Sequence, residues 1–381
     1  MALEGMDTAP SLFSPLQIGK IQLSHRIVFG SVTQVRAPNG LPNGTMKEHY
    51  SRRATPGGLL ISEGNAISNR ATGYPDVPGI YEDEQVRAWR PIVEAVHVKG
   101  GFIFCQLWHV GRASHSAYQP GGTKPISSTN KGLPDKFKVM LPDRSLDSHS
   151  EPRALSVDEI PEIVEQFRRG ALNVIKAGFD GVEIHAGHGY LIDQFLKDNI
   201  NDRTDHYGGS LSNRMRFLFD VVDAVVSALG GPERVAVRIS PAINHLDATD
   251  SNPLGLGLAI VDELNKRQLK WGAKLAYLHV THPHFREYLA TNSAMKGLEE
   301  ADAGLMRELR NAYRGTFMCT GGYTREIAAQ VVARGEADLI SFGRMFMANP
   351  DLVERLRINA PLRNYDLPTF FISNVSMQSR L

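Results

Sequence analysis

The chain has few of the features that mark secreted, membrane or nucleic-acid-binding proteins. It contains only two cysteines, Cys105 and Cys319, and both lie in apolar runs, which favours buried thiols in a reducing compartment over a disulfide framework. No stretch approaches the roughly 20 apolar residues of a membrane span, and the acidic residues 1–7 lack the pattern of a signal peptide. The formal net charge is +1 and no basic block occurs, which argues against a nucleic-acid partner.

The chain also lacks the Gly-x-Gly-x-x-Gly turn of an open, dinucleotide-binding sheet. Its nearest approach is Gly255-Leu256-Gly257, which has no third glycine and which we interpret as a turn. An open doubly wound sheet is therefore not favoured. Apolar residues nevertheless make up 42% of the sequence, which is enough to fill a large core.

Short runs rich in β-branched or aromatic residues alternate with amphipathic helical patterns. The eight runs cover residues 26–29, 59–62, 102–108, 181–185, 235–240, 275–281, 317–320 and 338–342. Each is typical of a strand buried on both faces of a parallel sheet. Helix-start signals lie between them, of which the capping box of Ser156 and Glu159 is one. Eight strand–helix units predict a closed (β/α)8 TIM barrel that forms a single domain over residues 1–381.

Two segments are additions to this barrel. Residues 12–23, with Gly19 at their centre, predict a hairpin that closes the barrel floor. Residues 115–152, rich in Pro, Gly, Ser and Asp, form a long loop insertion after the third strand. Because loops that follow barrel strands lie over the active face, we expect this insertion to act as a lid.

Glycines and an arginine follow the last two predicted strands. Gly321-Gly322 precedes a helical segment, and Gly343-Arg344 follows the final strand. Such turns expose backbone N–H groups, a helix N-terminus adds its dipole, and barrels bind phosphate at these two strands. The pattern predicts a phosphate site, with two ordinary strand-to-helix turns as the alternative.

Three further polar residues fall at the ends of the first, third and fifth strands. Thr33, Gln106 and Arg238 offer a hydroxyl, an amide and a guanidinium. The carbonyl and nitrogen edge of an isoalloxazine ring matches these groups, and a cation near its N1 atom would stabilise the reduced form. Taken singly, each residue also fits a structural role in satisfying buried polar groups.

The segment from His185 to Tyr190 admits two chemical interpretations. Two histidines three residues apart, with Glu183 on the same strand face as His185, are compatible with a metal site. Alternatively, His185 and His188 donate hydrogen bonds to a carbonyl oxygen, which favours hydride addition at the β-carbon of a conjugated double bond. Tyr190 would then protonate the α-carbon. Packed core side chains are the third alternative.

Longer blocks of the sequence are distinctive when taken together. They cover residues 104–114, 185–205 and 207–214. On these blocks the chain resembles the old yellow enzyme family of FMN-dependent ene-reductases, and within it the plant 12-oxophytodienoate reductases. The resemblance extends from residue 12 to about residue 370, which is nearly the whole chain.

The resemblance implies FMN as the bound cofactor and NADPH as the electron donor. Arg238 would lie beside N1 and O2 of the ring, and Gly64 would place its backbone beneath it. The implied cofactor-binding residues are Thr33, Gly64, Gln106, Arg238, Gly321, Gly322, Gly343 and Arg344.

The resemblance also assigns the substrate site. His185 and His188 would bind the carbonyl of a small enone, and Tyr190 would be the proton donor. Tyr74 and His245 fall where the family lines the pocket mouth with variable bulky residues, so we expect them to select substrate shape. Nicotinamide and enone would occupy this one site in turn, in a protein that is a monomer or a homodimer.

The chain departs from the family pattern in two places near the site. Gly30-Ser31-Val32 precedes Thr33 where the family has Ala-Pro-Met or Ala-Pro-Leu, and Gln34 replaces an arginine. Because a proline would stiffen this strand end, we expect weaker flavin affinity. Ala186-Gly187 stands where the family has Gly-Ala, which keeps both histidines but alters the backbone between them.

The C-terminal segment differs as well. Phe371 replaces a usual tyrosine and residues 372–381 form a short tail, which we expect to open the flavin edge to solvent. The chain ends in Ser379-Arg380-Leu381, which is similar to the Ser-Lys-Leu peroxisomal signal. Since the family branch that acts in jasmonate synthesis is peroxisomal, the resemblance favours that location over the cytoplasm.

These observations leave ordered hypotheses about function. The favoured one is an FMN- and NADPH-dependent reductase of 12-oxophytodienoate or a related cyclopentenone. A broad-range detoxifying reductase of enones, quinones or nitro compounds is the second. The third is a non-catalytic barrel that binds flavin or a lipid-like ligand, and a metal-dependent hydrolase is the last.

Overall fold

The computed structural model describes residues 11–284 and 300–365. Phe371, the tail 372–381 and the terminal Ser379-Arg380-Leu381 lie outside the described residues. In chain order the strands are β1 (Leu16–Ile18), β2 (Ile21–Leu23), β3 (Ile27–Phe29), β4 (Leu59–Ala66), β5 (Phe102–Trp108), β6 (Ile126–Ser127), β7 (Lys138–Met140), β8 (Leu146–Ser148), β9 (Arg153–Ala154), β10 (Gly181–Ala186), β11 (Val235–Ile239), β12 (Tyr277–Thr281), β13 (Phe317–Thr320) and β14 (Leu339–Phe342). The helices are α1 (Gly44–Ser51), α2 (Asp83–His97), α3 (Ile160–Ala177), α4 (Leu191–Leu196), α5 (Leu211–Ala228), α6 (Pro253–Trp271), α7 (Glu300–Ala312), α8 (Arg325–Ala333), α9 (Arg344–Ala348) and α10 (Leu352–Arg357).

Eight of the strands close into a parallel barrel. Their order is β3, β4, β5, β10, β11, β12, β13, β14, and β14 pairs with β3 to close the ring. This is the (β/α)8 TIM barrel that the sequence predicts, and each predicted run lies within a few residues of an observed strand. The closed ring leaves no barrel strand with an unpaired edge.

Side chains alternate between the two faces of each barrel strand. In β10, Val182, Ile184 and Ala186 are fully buried in the large core between the barrel and its helices. Glu183 and His185 occupy the opposite face, which points into the barrel. The same alternation in β5 separates Gln106 from the outward residues of that strand. The alternation therefore decides which residues reach the site.

The predicted hairpin floor is present. Strands β1 and β2 pair antiparallel around Gly19, and Ile18 and Leu23 bury their side chains against the inward residues of the barrel bottom, among them Val28 and Met318. Both hairpin side chains are at most 1% exposed. This apolar plug seals one end of the barrel.

The insertion after β5 folds over the opposite end. It contains the β7–β8 hairpin and a short β6–β9 pairing. Leu133 and Phe137 of the insertion pack against a cluster that includes Trp108 and Tyr190. The insertion therefore covers the end of the barrel where active sites of this fold are found, and its motion as a lid stays a prediction.

Two local predictions are wrong. The second strand continues past Glu63-Gly64 to Ala66, because a bulge between Ile61 and Gly64 inserts one extra residue opposite β5 and lets pairing resume. Gly255-Leu256-Gly257 is not a turn but lies in α6, whose start is fixed by the Asn252 side chain that accepts from Gly255 N. Glycine at 257 fits because a Cβ there would lie 2.8 Å from Leu309.

None of the helices within the described residues is long and apolar enough to cross a membrane.

Candidate active site

A cavity of about 410 Å³ opens at the C-terminal ends of the barrel strands. Almost all the residues singled out from the sequence line it together: Thr33, Tyr74, Gln106, His185, His188, Tyr190, Arg238, His245, Gly321, Gly322, Gly343 and Arg344. These positions come from seven different strands or the loops that follow them. The barrel therefore brings together side chains separated by more than 300 residues of sequence.

Gly64 is the exception. It pairs with Gln106 just after the β4 bulge, and a Cβ at this position would lie 2.5 Å from the Trp108 ring. The structure places Gly64 behind that indole rather than on the cavity wall. Its glycine is explained by the close approach of Trp108, and a contact with the cofactor stays a prediction.

The turn that follows β10 aims His188 and Tyr190 into the cavity. His188 adopts a left-handed backbone with φ of 58°, followed by Gly189 with φ of 74°. The Ser240 hydroxyl accepts a hydrogen bond from His188 N at 2.7 Å, and the Asp193 carboxylate accepts one from Gly189 N at 2.8 Å. These two bonds stabilise a conformation that a histidine rarely adopts.

The Ala-Gly order between the two histidines has a packing reason. Ala186 points into the outer core and is fully buried. A Cβ at Gly187 would lie 2.7 Å from the Ser240 hydroxyl oxygen. Glycine at 187 therefore lets Ser240 reach the backbone of His188.

His185, His188 and Tyr190 form a compact group. The His185 ring centroid lies 5.3 Å from that of His188 and 5.3 Å from that of Tyr190. Tyr190 packs edge-on against Trp108 at 4.9 Å, and its hydroxyl lies 3.3 Å from the Tyr74 hydroxyl. The donors of all three residues thus face one small volume.

The protonation of this group follows from its burial. Burial, reinforced by the charge of Arg238, lowers the pKa of both His185 and His188 well below the usual 6.5. Burial, together with the neighbouring Tyr74, raises the pKa of Tyr190 well above the usual 10. At neutral pH the site therefore presents two neutral imidazoles and a protonated phenol.

Arg238 brings a buried cation to the cavity wall. Its side chain is 7% exposed, and its Nε atom has no hydrogen-bond partner among the described residues. Glu183 lies close enough to oppose the effect of burial on the pKa of Arg238. A buried donor left unpaired by the protein indicates a place for a ligand acceptor.

Gln106 is oriented from both sides. Its Nε2 donates to Glu183 at 2.7 Å, and its Oε1 accepts from the Ser31 hydroxyl at 2.9 Å. The other oxygen of Glu183 lies 2.9 Å from Nδ1 of His279. Although burial opposes ionisation of Glu183, the interactions with His279, Arg238 and Gln106 hold its pKa at about 2. The amide of Gln106 therefore sits above a buried carboxylate.

These bonds also bear on the metal hypothesis. Both carboxylate oxygens of Glu183 are bonded to protein side chains, rather than directed at His185. Within residues 11–284 and 300–365 no group of three or more His, Cys, Asp or Glu side chains could hold a metal ion. The geometry gives the hydrolase hypothesis no support.

The far end of the cavity is built from backbone. Gly321 and Gly322 have φ of 127° and 86° and precede α8, which Thr324 caps by accepting from Ile327 N at 3.3 Å. Gly343-Arg344 starts the short helix α9. Backbone N–H groups, a helix N-terminus and an arginine after the last two strands form the phosphate site typical of this barrel.

Sequence reasoning missed several contributors. Trp108 lines the cavity because it shares the inward face of β5 with Gln106, so strict alternation would have found it. Ser240 and Thr281 support the histidine turn from other strands. No local sequence signal marks these two hydroxyls.

The arrangement fits a flavin mononucleotide. Gln106 and the unpaired Nε of Arg238 supply the polar groups for a ring edge, and the glycine turns with Arg344 supply the cradle for a single phosphate. A TIM barrel with these two features in one cavity defines the class of FMN-binding barrel oxidoreductases.

Comparison with known proteins identifies the family. The sequence model of the NADH:flavin oxidoreductase / NADH oxidase family matches residues 11–363, and the chain belongs to that family. It is 57% identical over 360 residues to 12-oxophytodienoate reductase 7 of Oryza sativa subsp. japonica, covering 94% of this chain and 91% of the relative. It is 45% identical over 363 residues to 12-oxophytodienoate reductase 2 of Arabidopsis thaliana, covering 95% and 92%.

Solved structures agree in fold. Morphinone reductase in complex with tetrahydroNAD superposes with a TM-score of 0.85 at 39% identity, covering 96% of this chain and 95% of that chain. The old yellow enzyme homologue from Zymomonas mobilis gives 0.86 at 35% identity, with 96% and 98% covered. The protein is therefore an FMN-dependent oxidoreductase of the old yellow enzyme type.

Proposed function

We propose that the protein is an NADPH-dependent ene-reductase that reduces the C=C bond of 12-oxophytodienoate or a related cyclopentenone, a step of jasmonate-type oxylipin synthesis. The observation that supports this most directly is the group of His185, His188 and Tyr190. It presents two neutral imidazoles and a protonated phenol to one cavity that also contains Arg238. The similarity to plant 12-oxophytodienoate reductases supports the substrate class.

The histidine pair binds and polarises the substrate carbonyl. Each neutral imidazole has one N–H to donate, and two donors directed at one oxygen stabilise the negative charge that develops there. The low pKa values of both rings exclude a positive charge on the pair at neutral pH. The result is an enone whose β-carbon accepts hydride.

Tyr190 completes the reaction. Bound FMN supplies the hydride that adds to the β-carbon. The phenol of Tyr190 gives its proton to the α-carbon, which a group of raised pKa can do because it stays protonated at neutral pH. Hydride and proton together saturate the double bond, and solvent later returns the proton to the tyrosinate.

The mouth of the cavity suits a cyclic, partly apolar substrate. Tyr74 stacks on Trp108 with ring centroids 5.6 Å apart, and His245 lies 6.5 Å from Tyr190 on the other side. Burial lowers the pKa of His245 to about 4, so this side chain is neutral at pH 7. A flat, uncharged slot is the shape that a cyclopentenone ring requires.

Product analysis tests this proposal. The holoenzyme is supplied with NADPH or NADH, in light or heavy water, and with 12-oxophytodienoate, cyclopent-2-enone, a quinone or carbonyl-free cyclopentene. We expect reduction of both cyclopentenones, solvent deuterium at the α-carbon, faster turnover with NADPH and no reaction of cyclopentene. A higher kcat/KM for the quinone would favour the detoxifying reductase, and the absence of any saturated product would contradict the proposal.

We also propose that Ser379-Arg380-Leu381 directs the protein to peroxisomes. A fluorescent protein fused to the N-terminus should mark peroxisomes in plant cells, and deletion of Leu381 should leave it in the cytosol. An unchanged peroxisomal pattern after that deletion would exclude this signal.

A further inference from the structure

Thr281 contacts one of the two substrate histidines from the end of β12. Its Oγ1 lies 3.0 Å from Nε2 of His188, and the two side chains are 1% and 6% exposed. The reaction described above makes no use of this hydroxyl. Because the contact is buried and short, it fixes how the His188 ring is protonated.

The direction of this hydrogen bond decides what His188 offers to a ligand. A neutral imidazole has one N–H and one lone pair. If Nε2 holds the proton, His188 donates it to Thr281 and presents a lone pair from Nδ1, which repels a carbonyl oxygen. If Thr281 donates instead, the proton of His188 is on Nδ1, on the opposite side of the ring from Thr281.

The surroundings of Thr281 favour the second arrangement. Within the described part of the chain, Thr281 Oγ1 has no hydrogen-bond partner other than His188. If it accepted from His188, its own proton would be buried without an acceptor, which is unfavourable. As a donor to Nε2, it leaves no proton unsatisfied.

The backbone of His188 makes the arrangement hard to escape. Ser240 holds His188 N at 2.7 Å in the left-handed conformation, so the ring cannot reorient by a simple backbone adjustment. Thr281 itself has few side-chain alternatives, because β-branched residues are restricted at χ1. The pair is therefore set before a ligand binds.

We propose that Thr281 is a positioning residue that donates its hydroxyl proton to Nε2 of His188 and thereby keeps the imidazole proton on Nδ1 for the carbonyl oxygen of the substrate. The identity of that substrate rests on the proposed function, whereas the position of the proton does not. His185 is different, because its Nδ1 is buried with no partner among the described residues. The two histidines thus share a ligand, but only His188 has its tautomer fixed by a side chain of another strand.

The matched variants are Thr281→Val, which keeps the shape and removes the hydroxyl, and Thr281→Ser, which keeps the hydroxyl. Holoenzyme with ¹⁵N-labelled histidine gives the tautomer by NMR, with His188 assigned through His188→Gln. We expect the Nδ1–H form in the wild type and in Thr281→Ser, and a shift toward Nε2–H in Thr281→Val. An Nε2–H form in the wild type would overturn the proposal without any variant.

Binding of 4-hydroxybenzaldehyde provides a second readout, because its phenolate oxygen stands in for the polarised carbonyl. We expect Thr281→Val to bind it about ten-fold more weakly, the loss expected for one hydrogen bond, and Thr281→Ser to remain within about three-fold of the wild type. Dithionite-reduced Thr281→Val should show a similar loss in its reaction with cyclopent-2-enone. Wild-type tautomer and affinity in Thr281→Val would refute the role of the hydroxyl. A wild type with the Nδ1–H form that reduces no enone would instead refute the proposed function alone.

Discussion

The two ends of the barrel are built on opposite principles. At the floor, Ile18 and Leu23 fill the space among Val28, Ile61 and Met318, and each of these side chains is at most 1% exposed. At the other end, buried polar atoms lack partners in the described structure: Nε of Arg238, Nδ1 of His185, Oγ of Ser341 and Nε2 of His282. Apolar burial stabilises the fold, whereas unpaired buried polar groups cost stability and are kept where a ligand pairs them.

The comparison teaches where each kind of substitution should act. Changes at the floor should alter the free energy of unfolding and leave the chemistry of the folded enzyme intact. Changes at the active end should alter ligand binding or rate with little loss of stability. The two ends are coupled only through the common barrel, so the effects separate in measurement.

The largest separation is expected for Tyr190→Phe. The phenol is the proton donor at the active end, so its loss should slow the reaction of the reduced enzyme with enones by about 10²–10⁴-fold. Reduction by NADPH needs no proton from this group and should stay within about two-fold. Stopped-flow absorbance measures each half-reaction.

Tyr74→Phe is the matched control, because it removes the hydroxyl that lies 3.3 Å from the Tyr190 hydroxyl but leaves the donor itself. We expect only a few-fold effect from it, the scale of one hydrogen bond. Equal slowing of both half-reactions in Tyr190→Phe would refute its role as proton donor.

At the floor, Leu23→Ala should destabilise the protein by about 2–5 kcal/mol, the range for a large-to-small change in a core. Leu23 is 0% exposed and distant from the cavity. Urea unfolding gives the change in free energy, and the FMN dissociation constant and enone turnover should match the wild type at low temperature. Loss of flavin affinity in the folded variant would break the separation between the two ends.

Binding of FMN should stabilise the active end. A ligand that binds only the folded state adds about 2.7 kcal/mol at 100 times its dissociation constant. Melting temperature should therefore rise with FMN concentration in apoprotein, and Arg238→Met should reduce this rise by weakening the ring-edge contact. Riboflavin, which lacks the phosphate, serves as the matched ligand control. An FMN-independent melting temperature would contradict the cofactor assignment.

A smaller effect is expected from His25 near the floor. Burial, helped by Arg357, lowers the pKa of His25 from 6.5 to about 4. The unfolded state therefore binds a proton first, so the stabilisation is complete above pH 6.5 and is lost as pH falls toward 4. One such group costs roughly 2 kcal/mol between pH 7 and pH 5.

Urea unfolding of His25→Gln at both pH values tests this, because glutamine can still bond to Thr55, which lies 2.9 Å from Nε2 of His25. The variant should lose less stability than the wild type on going to pH 5. An identical pH slope in the two proteins would show that His25 does not titrate on unfolding.

Much of this architecture follows from local sequence patterns. The strand runs predict the barrel, and alternation with strand order brings Gln106, Arg238 and His185 to one end. Short patterns do not predict what long-range packing decides. The bulge in β4 depends on pairing with β5, and the left-handed His188 depends on Ser240, which is 52 residues away in sequence.

The departures near Thr33 illustrate the same limit. The absence of proline suggests a loosened strand end, but the structure shows Ser31 bonded to Gln106 and Gly30 facing Ser341, where a Cβ would lie 2.2 Å from the hydroxyl oxygen. The substituted residues thus have contacts of their own. Weaker flavin affinity stays a prediction that a dissociation constant will decide.

The most direct test of the central claim is the absorbance of the purified protein during an anaerobic titration with NADPH, followed by mixing with cyclopent-2-enone. The site described here predicts a flavin band that bleaches on addition of NADPH and returns when the enone is added. A protein that remains colourless after incubation with FMN, or a reduced flavin that the enone does not reoxidise, would contradict the account.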